Sequence, residues 1–77
     1  MERIRHRETE DRDAATRAVD LAQREVNAAA ALLIALVRDG TPAHDPAIIG
    51  TRLRLLMAET ARREAQLWLR RAGRAQS

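Results

Sequence analysis

The chain has 77 residues, its 14 basic residues are all arginine, and it contains no cysteine, tyrosine or phenylalanine. This length allows at most one small domain, and the lack of cysteine excludes a disulfide framework. The longest apolar run, residues 28–37, is about half of what a membrane span needs, and no signal-peptide pattern opens the charged N-terminal segment, so we expect a cytoplasmic protein that does not bind membranes.

The net charge of +3 is unevenly distributed along the chain. Residues 1–13 carry four arginines and five acids, residues 14–47 carry three and four, and residues 48–77 carry seven and two. The last third is therefore the basic part of the chain. Such a segment attracts phosphates, nucleic acid and membrane surfaces alike, and a solvated arginine face would give the same pattern.

The first predicted element is a helix over about residues 13–38, preceded by a charged N-terminal extension over residues 1–12 that either continues this helix or frays. Its start is expected near Thr9 or Asp13, either of which could cap it, and Gly40 is expected to supply a left-handed residue after the last turn. Alternating spacings of three and four mark a seam for packing against another helix. The seam residues are Val19, Ala22, Val26, Ala29, Leu33 and Leu36.

A loop over residues 39–45 and a second helix over about residues 46–73 follow. Turn-forming residues cluster only in this loop, and Asp45 followed by Pro46 is typical of an N-cap and a first helical residue. Helical spacing places the larger apolar residues of this helix on one stripe together with polar ones. The stripe consists of Leu53, Leu56, Met57, Thr60, Glu64, Leu67, Trp68 and Arg71.

The predicted fold is all-α: an antiparallel two-helix hairpin that self-associates into a helical-bundle oligomer. A short loop favours antiparallel neighbours whose residue numbers sum to about 86, which pairs Leu33 with Leu53, Val26 with Thr60, and Ala22 with Glu64. Two helices cannot enclose a core alone, and apolar residues remain off both seams. These are Leu21, Leu32 and Ala35 on helix one, and Ile48, Leu55 and Leu69 on helix two.

Several kinds of chemistry are not supported by the residues. His6 and His44 have no partners at metal-ligand spacing, Ser77 has no base to activate it, and the glycines are isolated rather than grouped in a phosphate loop. We therefore predict no catalytic residue, no metal site and no cofactor.

Binding of a phosphate-bearing ligand at a subunit interface fits the residues better. Guanidinium groups bind phosphates well, and the candidate phosphate contacts are Arg24, Arg62, Arg63 and Arg71. Candidate base or ribose contacts are Asn27, Thr60 and Trp68, with Glu64 as an acceptor for a base amino group. Trp68 could equally be an interface anchor, and Glu64 could pair with an arginine of a neighbouring subunit.

One stretch of helix two resembles the second helix of small phage hairpin proteins. In that family the stretch reads alanine, any residue, threonine, lysine, leucine, two glutamates, alanine, two bulky residues and tryptophan, with later alanines. The matching residues here are Ala58, Thr60, Glu64, Ala65, Leu67, Trp68 and Ala72. Ala61 replaces the lysine and Arg63 the first glutamate, and the specific match covers roughly fifteen residues.

That family resembles the hairpin domain of phage anti-CBASS and anti-Thoeris sponges, which sequester cyclic nucleotide messengers of bacterial immunity without cleaving them. The resemblance implies a homo-oligomer, from dimer to hexamer, in the cytoplasm of a bacterial host. It also implies that Arg24 holds ligand phosphate, and that Arg71 and Ala72 match an arginine and alanine near the end of the second helix. The ligand would be a cyclic oligonucleotide or a cyclic ADP-ribose isomer.

Other functions remain open. A helical oligomerisation or protein-interaction module would need no small ligand, with Thr60 and Glu64 fixing the register. A small all-α enzyme similar to chorismate mutases would hold a dianion with arginines, although two helices offer few catalytic groups. Binding of nucleic acid is not favoured, because the chain has no helix-turn-helix pattern with a recognition helix.

Overall fold

A computed structural model describes the backbone of residues 2–75 and the side chains of residues 9–74. Two helices make up this part of the chain: α1, Glu2–Arg38, and α2, Pro46–Ala75. They pack against each other as a helical hairpin, and residues 2–75 contain no β-strand. Neither described helix carries an apolar stretch long enough to cross a membrane. The side chain of His6 lies outside the described part.

The N-terminus of α1 differs from the prediction. The helix starts at Glu2 rather than near Thr9 or Asp13, so most of the predicted extension is helical. Residues 2–12 contain no glycine or proline and are mostly arginine and glutamate, which have high helix propensity. Nothing in this segment breaks the backbone pattern, so the helix continues through both candidate caps.

The loop between the helices is built by two terminal motifs. At the end of α1, Gly40 has a φ of 79°, its N–H donates to Val37 O, and Thr41 N donates to Leu36 O, both at 3.0 Å. This is the arrangement of a Schellman motif and confirms the prediction for Gly40. At the start of α2, Asp45 Oδ1 accepts from Ala47 N at 2.8 Å, which confirms Asp45 as the N-cap before Pro46.

Small residues form the buried seam of the hairpin. On α1 the buried residues recur every seven positions, and on α2 a buried threonine and three alanines do the same. Methyl groups at these positions let the two backbones approach closely. The hydroxyl of Thr51 is satisfied by Ala47 O at 2.7 Å. The seven-residue series are Ala15, Ala22 and Ala29 on α1, and Thr51, Ala58, Ala65 and Ala72 on α2.

The predicted seam of α1 is confirmed, because all six of its residues are buried or half-buried. The predicted stripe of α2 is wrong. Its apolar members Leu53, Leu56, Met57, Leu67 and Trp68 are 42–66% exposed. Its polar members Thr60, Glu64 and Arg71 are exposed as well. The stripe therefore lies outside the buried seam of α2.

The residues that replace this stripe in the seam include those that had been assigned to leftover surface. Ile48 is 1% exposed, Leu55 and Leu69 are half-buried, and Arg62 is half-buried between them. The physical reason is shape: the alanines of α2 match those of α1, whereas the bulky stripe would hold the helices apart. The larger side chains of α2 are thereby left facing outward.

The hairpin is long and thin. Its dimensions are 59 × 16 × 13 Å, and its radius of gyration is 17.2 Å. A compact domain of this length would have a radius of gyration of about 11–12 Å. Within the described residues the two helices therefore form a single layer, whose core is the seam of alanines together with Ile48 and Thr51.

Candidate functional site

Two of the predicted ligand contacts are joined by a hydrogen-bonded network across the hairpin. Arg62 Nη1 donates to Gln23 Oε1 at 3.1 Å, and Gln23 Nε2 donates to Asn27 Oδ1 at 2.9 Å. Gln23 thus bridges Asn27 on α1 and Arg62 on α2. Gln23 is not among the predicted contacts, although its position four residues before Asn27 on the helix is a signal for such a pair.

Arg62 occupies a position in the seam where an apolar residue would be expected. Its Nε is buried and has no hydrogen-bond partner. Leaving a buried donor unpaired costs free energy, about 1–3 kcal/mol in typical cases. Arg62 stays a predicted phosphate contact, and in the hairpin its Nη1 donates to Gln23 while its Nε is buried without a partner.

Thr60 and Glu64 lie together on the outer side of α2. With Leu56, Met57 and Ala61 they line an open groove of about 290 Å³. The hydroxyl of Thr60 donates to Leu56 O at 3.0 Å, one turn back, so one of its hydrogen bonds is already used within the helix. Both residues are exposed to solvent rather than set against α1.

The remaining predicted contacts are dispersed over the surface. Arg24 on α1 and Arg63, Trp68 and Arg71 on α2 are all exposed. Among the described residues they belong neither to the Gln23 network nor to the lining of the Thr60 groove. One chain therefore does not gather the eight candidates into one site.

Comparison with protein-family models, with curated proteins and with solved structures gave no match to this chain. The local chemistry of the described residues is consequently the basis for any functional conclusion.

An ion pair that the sequence analysis did not single out links the two helices. Arg54 Nε on α2 donates to Glu25 Oε1 on α1, and both side chains are about half exposed. The hydrogen bond from Arg54 lowers the pKa of the Glu25 carboxyl; partial desolvation opposes this effect and the positive charge of Arg54 adds to it. The same hydrogen bond raises the pKa of Arg54.

Beside this ion pair lies a larger groove between the helices. It measures about 450 Å³ and is lined mostly by apolar atoms of Gly50, Leu53, Met57, Ala58 and Ala61, with Glu25 and Arg54 at its edge. Pockets for small ligands have comparable volumes but bury most of the ligand surface. This groove is open along its length, so a single hairpin cannot enclose a nucleotide there.

The described residues also bear on metal chemistry. Among residues 9–74, no three histidine or acidic side chains are close enough to share a metal ion. The arrangement can instead offer guanidinium and amide donors to an anion, and exposed aliphatic surface to another protein chain. Both would act at the outside of the hairpin.

Proposed function

We propose that this chain is a self-associating helical module, an antiparallel hairpin that buries its remaining apolar surface against further copies. The observation that carries the proposal is the exposure of large apolar side chains on both helices, at 42–66% of their area. These side chains are Leu21, Leu32, Ile34, Val37, Ile49, Leu53, Leu56, Met57, Leu67 and Trp68.

The antiparallel direction is supported by the spacing of the buried residues. Pairing the helices in opposite directions sets Ala22 against Ala65 and Ala29 against Ala58, so the two seven-residue series meet in successive layers. The link from Gln23 to Arg62 falls close to the layer of Ala22 and is consistent with this register.

The surface area supports association. The chain exposes 6215 Å². A compact monomer of this mass would expose about 4,700 Å², so roughly 1,500 Å² is in excess. A stable interface of ordinary size takes about 800 Å² from each partner. The excess is therefore large enough to supply one such interface and part of a second.

Sedimentation velocity over a concentration series tests this proposal. We expect the mass of two or more subunits at micromolar to millimolar concentration, with thermal stability rising with concentration because association stabilises only folded chains. A mass of one subunit throughout, with full helical circular dichroism, would overturn the proposal.

A second candidate function is sequestration of a cyclic nucleotide between copies, as the resemblance to phage anti-CBASS and anti-Thoeris sponges implies. Two observations favour it: the Asn27–Gln23–Arg62 network holds an arginine and amides together, and Thr60 and Glu64 add polar groups to an outer groove. A second hairpin over that groove would supply the missing wall. The excess of arginine over acid in residues 48–77 would attract the phosphates.

Titration calorimetry against cyclic dinucleotides, cyclic trinucleotides and cyclic ADP-ribose isomers tests the second candidate. We expect one ligand class to bind and to be recovered chemically intact after heat denaturation of the loaded protein. Arg62→Met, in the Gln23 network, should weaken binding, whereas Arg52→Met, an exposed arginine outside the candidate set, should not. Absence of heat for every ligand would leave the first proposal alone, and recovery of a cleaved product would indicate an enzyme.

A further inference from the structure

The hairpin has two broad sides that differ in chemistry. The first, which we name the Glu25 face, follows Glu25 on α1 and the groove beside Arg54 on α2. Helical spacing adds residues one or two turns away on each helix. The Glu25 face comprises Arg17, Leu21, Glu25, Ala28, Leu32 and Ala35 on α1, and Gly50, Leu53, Arg54, Met57, Ala61, Glu64, Trp68 and Arg71 on α2.

The opposite side, which we name the Gln23 face, follows Gln23 and residues at the same helical spacing. It comprises Asp20, Gln23, Asn27, Ile34 and Val37 on α1, and Ile49, Arg52, Glu59, Arg63, Gln66 and Arg70 on α2. Apolar side chains occur there mainly near the loop. Charged and amide side chains cover the rest of its length.

We propose that a second copy of this chain docks on the Glu25 face, so that two hairpins form a four-helix bundle. This inference rests on the proposed self-association and adds which side of the hairpin carries it. Apolar side chains run along this face from Ala35 near the loop to Trp68 near the far end, on both helices. Side chains from both helices of each copy can then pack into the groove of the other copy.

The charges of the Glu25 face also fit a second copy. Glu25 and Glu64 lie on this face with Arg17, Arg54 and Arg71, and Glu25 already pairs with Arg54. A twofold axis brings the same patch together twice, so a patch must tolerate its own charges. A patch that carries both signs does so, because each carboxylate can meet a guanidinium of its own or the other copy.

The surface area of the Glu25 face is also large enough for a second copy of the chain to dock there. One broad side of a molecule 59 Å long and 16 Å wide measures on the order of 900 Å². An ordinary interface takes about 800 Å² from each partner. A docked second copy would also close the 450 Å³ groove beside Arg54.

Matched glutamate substitutions on the two faces test the inference. Leu32→Glu and Met57→Glu place a charge on the Glu25 face at side chains that are 42% and 66% exposed; Ile34→Glu and Ile49→Glu do the same on the Gln23 face at side chains that are 52% and 56% exposed. The dimer dissociation constant is measured by sedimentation for each purified full-length variant. Circular dichroism controls for helix content.

We expect the two Glu25-face variants to raise the dissociation constant by at least about tenfold and the two Gln23-face variants by less than about threefold. As a second test, Leu21→Arg, at a Glu25-face side chain that is 65% exposed, should weaken the dimer, whereas Val37→Arg, at a Gln23-face side chain that is 59% exposed, should not. The second test does not depend on the glutamate variants.

The outcomes separate this inference from the proposed function. A wild-type protein that stays monomeric overturns self-association, and the face assignment falls with it. A wild-type protein that associates but is dissociated by the Gln23-face variants, by both pairs equally or by neither overturns the face assignment alone. Dissociation by the Glu25-face pair only, with helix content retained, supports it.

Discussion

Arg62 and Gln23 join the two helices through a hydrogen bond of 3.1 Å from Nη1 to Oε1, while Nε of the same guanidinium stays buried without a partner. The seam therefore contains one charged group that is only partly satisfied. Its charge is tolerated because one end of the side chain reaches the half-exposed amide of Gln23.

The first prediction concerns this seam position. Arg62→Met should raise the free energy of unfolding by about 1 kcal/mol, because the unpaired Nε disappears and the apolar stem is retained. Urea unfolding at one fixed protein concentration measures it. Arg63→Met, at an exposed neighbour, should change the value by less than about 0.5 kcal/mol. A loss of stability in Arg62→Met would contradict this account of the seam.

The second prediction concerns the alanine seam. Ala29→Leu should lower the free energy of unfolding by about 1–3 kcal/mol, because Ala29 is fully buried and a larger side chain would separate the helices. Ala31→Leu is the matched control, since Ala31 is exposed two residues away. In thermal unfolding, Ala31→Leu should have a higher melting temperature than Ala29→Leu. Equal melting temperatures would mean that the seam is not tightly packed.

The difference between the predicted and observed seams has a physical origin. On α1 the longest apolar series with spacings of three and four is the seam, so Val19, Ala22 and Val26 could be predicted from the sequence. On α2 two stripes of apolar residues follow helical spacing. The prediction selected the stripe with the larger side chains, and that stripe is the exposed one. Which stripe of α2 is buried depends on how closely the small residues of the two helices pack, and this involves α1 and α2 together.

Repeats of seven could have revealed that fit. Ala58, Ala65 and Ala72 repeat at the same interval as Ala15, Ala22 and Ala29. The candidate site was less predictable, because the hydrogen bond of Arg62 to Gln23 and the ion pair of Arg54 with Glu25 depend on the register of the two helices.

The third prediction concerns the N-cap of α2. Asp45→Ala should cost about 0.5–2 kcal/mol, because Ala47 N loses its acceptor at the helix start, and Asp45→Ser should recover most of that loss. Asp39→Ala is the control. Asp39 follows the end of α1, where a negative charge is unfavourable, so its removal should not lower the free energy of unfolding. Chemical unfolding measures all three variants. If the free energy of unfolding of Asp45→Ala equals that of the wild type, the N-cap does not contribute to stability.

The fourth prediction uses the same substitution at two glycines with opposite results. Gly40→Ala should destabilise the hairpin by about 1 kcal/mol, because Gly40 has a φ of 79°, which a side chain disfavours. Gly50→Ala should stabilise it by about 0.5–1 kcal/mol, because Gly50 is helical and an added Cβ meets nothing within 4 Å. Melting temperatures should move in opposite directions. If both substitutions shift the melting temperature in the same direction, backbone conformation does not determine the effect of alanine at these two positions.

The fifth prediction concerns pH. Because the hydrogen bond from Arg54 lowers the pKa of Glu25 in the folded chain, the ion pair stabilises the hairpin above the ordinary glutamate range. The contribution is lost as the pH falls through the lowered pKa. Carbon NMR titration should give Glu25 a higher pKa in Arg54→Met than in the wild type, and added salt should narrow the difference. Identical titration curves would exclude the pair in solution.

The alanine seam has a consequence for how the chain recognises itself. The contacts between the alanines of α1 and those of α2 are the same whether the two helices come from one chain or from two. The choice between a closed hairpin and an exchanged dimer, in which each chain lends its α2 to the other, therefore depends on the loop. The left-handed Gly40 and the capping Asp45 fold the loop back on itself. A straightened loop would give the same seam in a molecule about twice as long.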